Sequence, residues 1–100
     1  MEKKKRHYSL SQIKEFVSNG NWEATRTALN NAREQFDFVK KDIEQVVLNL
    51  KTSDFYKSMT SYDDSTVWQD VYRPFIADTQ TYIKLSIIND ATLLIQFKRK

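Results

Sequence analysis

The sequence predicts a single α+β domain spanning 1–100, in which three N-terminal helices pack on one face of a mainly antiparallel sheet. Three observations carry this expectation. Apolar residues recur at spacings of three and four as far as Leu50, the period shifts toward two from Phe55 onward, and the chain after Gln80 reads as two apolar-rich strands around Asn89-Asp90. The join between the two regimes is Ser53 to Pro74, SDFYKSMTSYDDSTVWQDVYRP, where aromatic rings alternate with Lys, Ser, Thr, Gln, Asp and Arg. Such a surface can stack bases and contact phosphates, although half-buried strands share the same composition.

Lys3 to Arg6, beside the single histidine His7, read as a solvated tail. Ser9 fits a helix N-cap with Gln12 three residues on; Leu10, Ile13, Phe16 and Val17 share one helical face before Asn19-Gly20 supplies a stop. A second helix is expected from Asn21 to Phe36, on the spacing of Trp22, Ala24, Thr25, Ala28, Leu29 and Ala32. Asp37 is the N-cap candidate of a third, whose stripe is Val39, Ile43, Val46, Val47 and Leu50.

From Phe55 a strand places Tyr56, Ser58, Thr60 and Tyr62 on one face and Phe55, Lys57, Met59 and Ser61 on the other. Asp63 to Thr66 form a turn cluster, and Val67 to Arg73 make a second strand ended by Pro74. In the C-terminal hairpin, a loop of only Asn89 and Asp90 would pair Ile88 with Ala91 and mix apolar with polar residues on one face. An odd-length loop pairs Ile88 with Thr92 and puts Ile83, Leu85 and Ile87 on one side with Leu93, Ile95 and Phe97. The odd-length loop is therefore expected. It sets Tyr82 across from Lys98 and Lys84 across from Gln96, on a polar, cationic face.

Composition limits the chemistry available to that face. With 29% charged and 40% hydrophobic residues the chain is ordinary for a soluble protein, and no apolar run approaches the ~20 residues that span a bilayer, so a cytoplasmic location without membrane contact is expected. The absence of cysteine excludes disulfides, thiolate nucleophiles and cysteine zinc sites, and one histidine leaves no two-histidine pair; no metal or other cofactor is expected. Gly20 is the only glycine, so phosphate-cradling glycine loops are missing. Sixteen Lys and Arg against thirteen Asp and Glu give a net charge of +3, which mildly favours an anionic partner.

Tyr82 and Lys98, joined on that face by Lys57, Gln69 and Arg73, would supply donors, cations and aromatic platforms without a carboxylate pair. That set suits phosphodiester binding, and Lys and Tyr can share the proton transfers of a metal-independent ribonuclease. Their reference pKa values, about 10.4 and 10, are far from neutral unless neighbouring cations lower them. On the residues alone, a non-catalytic RNA-binding module on the same face stays open, as do a merely solvated Lys98 or Gln69 and a core-filling Met59.

The segment SDFYKSMTSYDDSTVWQDVYRP, preceded by LSQIKEFV and TRTALNNA and followed by YIKLSIIND and QFKRK, resembles the motility quorum-sensing regulator toxins over nearly the entire chain. The most distinctive runs are DFYKSMT and WQDVYRP. The resemblance implies a RelE-like fold and the toxin of a type II toxin-antitoxin module, acting as a metal-independent endoribonuclease on mRNA with preference for GCU-type sites. The family's active-site lysine, glutamine and tyrosine fall on Lys57, Gln69 and Tyr82, and its C-terminal strand lysine on Lys98; Tyr56, Met59, Arg73 and Lys84 are the accompanying substrate-binding candidates. The implied partner is an antitoxin with a zinc-binding domain and a DNA-binding helix-turn-helix domain, so zinc and DNA contacts would belong to the partner. The chain departs from the family pattern at the loop after Ile88, which reads one residue longer, at Asn89, where a histidine is expected, and across Phe36 to Lys51.

Overall fold

Side-chain caps decide where the helices begin. The computed structural model describes residues 1–100, and in it Ser9 accepts the Gln12 N–H at 3.3 Å to open α1 (Leu10–Ser18). Gly20, at φ 78, then reverses the chain. Thr25 accepts the Ala28 N–H at 3.1 Å and opens α2 (Arg26–Phe36). The expected second helix thus starts late: Trp22–Ala24 is a strand, β2, paired in parallel with the C-terminal strand at Trp22↔Thr92. Trp22 and Ala24 fit a helical spacing only because a strand and a capped helix happen to abut. Trp22 is buried there, its indole N–H donating to Glu44 at 3.1 Å.

Asp37 also differs from expectation. It sits in the left-handed region at φ 59 and ends α2; α3 (Lys40–Leu48) begins after Val39, whose N–H is accepted by the Asp42 carboxylate at 2.9 Å. Val39 is consequently exposed, while Ile43, Val47 and Leu50 are buried.

The remaining strands are β1 (Glu2–Lys3), β3 (Phe55–Thr60), β4 (Trp68–Tyr72), β5 (Phe75–Ile76), β6 (Thr79–Ile88) and β7 (Ala91–Arg99). The sheet order is β1-β3-β4-β6-β7-β2, antiparallel throughout except at β2–β7, with β5 pairing β6 off that path. Tyr72, Ile83, Leu85, Leu94 and Phe97 join the buried residues of all three helices in one core cluster. No helix is long and apolar enough to cross a membrane.

The hairpin corrects the expected register. Asn89 and Asp90 alone form the loop, at φ 53 and 58, and Ile88 pairs with Ala91. Two successive left-handed residues make the turn whose twist matches the strands, and Asn and Asp tolerate that region where Ala91 would not. The extra residue is taken up inside the strand instead: pairing passes from Leu85↔Leu94 to Lys84↔Gln96, leaving Ile95 as a bulge. The bulge inverts parity between the two halves, so Leu94 and Phe97 both face the core, and Thr92 is accommodated there by donating its hydroxyl to Ile13 O at 3.0 Å. The pairs Tyr82↔Lys98 and Lys84↔Gln96 are as expected.

The N-terminal segment is not a free tail. β1 pairs with β3, Thr60 N–H donates to Met1 O at 2.9 Å, and the fully buried Asp70 carboxylate accepts the N–H groups of His7 and Tyr8 at 2.9–3.1 Å. A buried carboxylate requires donors, and here they come from the backbone of the basic segment.

Candidate active site

One row of direct partners crosses four strands: Lys57↔Val71↔Lys84↔Gln96. Opposed residues in neighbouring strands share a face, so Lys57 and Lys84 lie on one side of the sheet with the fully buried Val71 between them. Met59 is opposite Gln69 and Tyr82 is opposite Lys98, on the same face by alternation. The Tyr82 hydroxyl reaches across β4 to within 3.9 Å of Met59 Sδ. The structure therefore brings Lys57, Met59, Gln69, Tyr82, Lys84 and Lys98 together. Asn31 of α2 donates to Gln96 at 2.9 Å at the β7 side of this face.

Tyr56 falls at a bulge, because pairing passes from Phe55↔Tyr72 to Lys57↔Val71. Phe55 accordingly turns to the core and packs edge-on against Tyr72 at 5.6 Å, away from Lys57, instead of sharing its face as a uniform strand would require. The Tyr56 ring gathers cations: Arg73 lies 3.5 Å from its centroid, Lys4 4.8 Å and Lys57 5.4 Å. Tyr56 and Arg73 thus form one stacked unit beside Lys57.

The electrostatics depart in part from the expectation that clustered cations lower every pKa. Lys84 is lowered, by burial first and then by Lys98 and Lys57. Lys57 is raised, because its ammonium donates to the Glu2 carboxylate at 2.6 Å. Tyr82 is raised too, since burial outweighs the opposing pull of Lys57 and Arg73. At neutral pH Lys57 and Tyr82 are proton donors.

Glu2 is a residue of this face that the sequence reading missed. It lies opposite Met59 in the β1–β3 ladder, and no local pattern marks it, because a two-residue edge strand has no periodicity. A second group was also unforeseen. His7 stacks on Trp68 at 5.2 Å, and Lys3 stands 4.1 Å from the Trp68 centroid while donating to His7 Nδ1 at 2.9 Å. Burial and Lys3 together lower the His7 pKa. Trp68 shares its parity with Asp70 and Tyr72, so this group lies on the other side of β4 from Gln69.

None of the cavities in the protein is lined by Lys57, Tyr82 or Lys98, and no three His, Asp or Glu side chains cluster as a metal site. The face is an open, cationic and aromatic shelf, which fits an extended polyanion better than an enclosed small molecule.

Residues 5–99 match the family described as "Motility quorum-sensing regulator, toxin of MqsA". Over 101 aligned positions, covering all of both chains, the sequence is 48% identical to the mRNA interferase toxin MqsR of Escherichia coli (strain K12). With the match running the length of the domain, the chain belongs to the motility quorum-sensing regulator toxin family.

Proposed function

We propose that this protein is the toxin of a toxin-antitoxin pair and an endoribonuclease that cleaves mRNA in the cytoplasm. The observation that carries the reading is the convergence of Lys57, Tyr82, Lys84 and Lys98 on one open sheet face, in a chain 48% identical to an mRNA interferase toxin. Lys57, Tyr82 and Lys98 surround the scissile phosphate, Gln69 orients the RNA, Met59 packs against a base, and Arg73 stacked on Tyr56 with Lys84 holds flanking phosphates.

The reaction is an in-line attack by the 2′-hydroxyl on the adjacent phosphorus. It forms a 2′,3′-cyclic phosphate, breaks the bond to O5′ and returns a proton to that oxygen. Lys57 and Tyr82 carry their protons at neutral pH and so can supply that proton and stabilise the pentavalent phosphate, with no metal ion required. Cleavage prefers GCU-type sites. The partner is an antitoxin that carries the zinc and the helix-turn-helix DNA-binding domain, and the fold is RelE-like with its helices on the core side of the sheet.

The test is incubation of purified protein with a defined mRNA in excess EDTA. Fragments ending in 2′,3′-cyclic phosphate and beginning with 5′-hydroxyl are expected; loss of cutting in EDTA, or ends of another chemistry, would overturn the mechanism.

A further inference from the structure

The proposed reaction needs a group to take the 2′-hydroxyl proton, and among the residues that share the face only Glu2 is a carboxylate. Lys57 and Tyr82 hold their protons more firmly than usual, and Lys84, whose pKa burial lowers, stands across β4 from Lys57 with Val71 between them. Resting on the ribonuclease reading, we propose that Glu2 is the general base of this site.

Position carries the assignment. Glu2 is opposite Met59, which is opposite Gln69, so its side chain belongs to the same face as the candidate residues. Its Oε2 accepts from Lys57 at 2.6 Å, which fixes the carboxylate beside the residue expected to hold the phosphate. The side chain is 56% exposed, so Oε1 is open to a ligand. The nearby Asp70 cannot serve, because it is fully buried on the other side of β4 and bound to backbone amides.

In-line attack needs base and acid on different sides of the phosphorus, and the candidates are anchored on different strands: Glu2 on the β1 edge, Tyr82 and Lys98 on β6 and β7, with the Tyr82 hydroxyl reaching across β4 to Met59. In the step, Glu2 takes the 2′-hydroxyl proton, the 2′-oxygen bonds to phosphorus, the P–O5′ bond breaks, and O5′ receives its proton from Tyr82 or a lysine. Lys57, held between carboxylate and phosphate, neutralises the charge that builds on both. The bond to Lys57 holds the Glu2 carboxyl below its usual range, which favours the carboxylate form that a base needs.

The experiment compares wild type, Glu2→Gln and Glu2→Asp in single-turnover cleavage of one RNA oligonucleotide across pH, alongside binding of the same oligonucleotide with 2′-O-methyl groups, which cannot react. For Glu2→Gln the cleavage rate should fall by about 10²-fold or more and the acid-side limb of the pH profile should vanish, while affinity for the 2′-O-methyl strand changes less than about twofold. Glu2→Asp should keep part of the rate and the limb. Unchanged cleavage by Glu2→Gln overturns the assignment, as does faster cleavage with tighter binding, which would make Glu2 a mask on Lys57. Equal losses in both variants with an intact pH limb would mean a structural contact only, and would also overturn it. A wild type that does not cut the RNA counts against the ribonuclease reading itself, whereas a Tyr82→Phe loss beside an active Glu2→Gln counts against Glu2 alone.

Discussion

Tyr82 and Lys98 stand directly opposite each other in the β6–β7 ladder, with Lys98 Nζ 5.4 Å from the Tyr82 ring, and the same tyrosine extends its hydroxyl to Met59 on β3. One side chain therefore links the C-terminal hairpin to the DFYKSMT strand. Tyr82→Phe removes only the hydroxyl. RNA cleavage should drop by about 10²-fold while stability changes by less than about 1 kcal/mol, as read by single-turnover kinetics and urea unfolding. A variant that is equally active would remove Tyr82 from the chemistry.

Lys84 carries an unfavourable charge in the folded state. Its folded pKa lies below the ordinary 10.5, so the unfolded chain binds more protons, and stability from this group rises with pH through the alkaline window below 10.5. Lys84→Gln should raise the thermal midpoint at pH 7, flatten that alkaline rise, and weaken RNA binding with a shallower salt dependence. Calorimetry across pH and binding titrations at two salt concentrations check both halves.

Tyr72 is fully buried and its hydroxyl has no hydrogen-bond partner; burial first, then Asp70, pushes its pKa up to about 12, with Arg6 nearby opposing the shift without a bond of acceptable geometry. A raised folded pKa means stability present below 10 and lost as pH rises toward 12. Tyr72→Phe should be neutral or stabilising by up to about 1–2 kcal/mol at pH 7 and should remove part of the alkaline loss. Strong destabilisation at pH 7 would reveal a partner for the hydroxyl.

Asp70→Ala strips His7 and Tyr8 of their acceptor. A loss of about 2–4 kcal/mol is expected, because two backbone donors lose a charged partner in a buried setting. Amide exchange at those two residues should accelerate more than exchange in β6. Equal protection in both proteins would show the amides satisfied elsewhere.

Ala77 and Asp78 form the tight turn between β5 and β6 with φ of 48 and 65. A left-handed alanine costs about 1–2 kcal/mol, so Ala77→Gly should stabilise the fold by about 0.5–1 kcal/mol after glycine's own entropic cost. Chemical denaturation reads the difference.

Much of this fold is written locally. The Ser9 cap, the β3 and β4 strands and the pairing of Tyr82 with Lys98 follow from residue type and period. What escaped depended on partners distant in sequence: Trp22–Ala24 is a strand because β7 offers an edge, and β1 is ordered because β3 and Asp70 hold the basic segment. The hairpin shows a third kind of miss. Matching the apolar residues of β6 and β7 requires one extra residue in β7, but the alternation alone does not say where that residue sits, and the left-handed tolerance of Asn89 and Asp90 sends it to Ile95 instead of the loop. In the candidate site, Lys57, Gln69, Tyr82 and Lys98 are legible from the hairpin register and the family resemblance together. Glu2 is not, since its place depends on tertiary pairing alone.

The most direct measurement of the central claim uses two strands that differ by one atom: an RNA oligonucleotide containing a mapped cleavage site, and the same strand with a single 2′-deoxy nucleotide 5′ to the scissile phosphate. Attack by the 2′-hydroxyl, organised by the Lys57–Tyr82–Lys98 face, predicts cutting of the first strand to a 2′,3′-cyclic phosphate and no cutting of the second. Equal cleavage of both strands at that phosphate would contradict it.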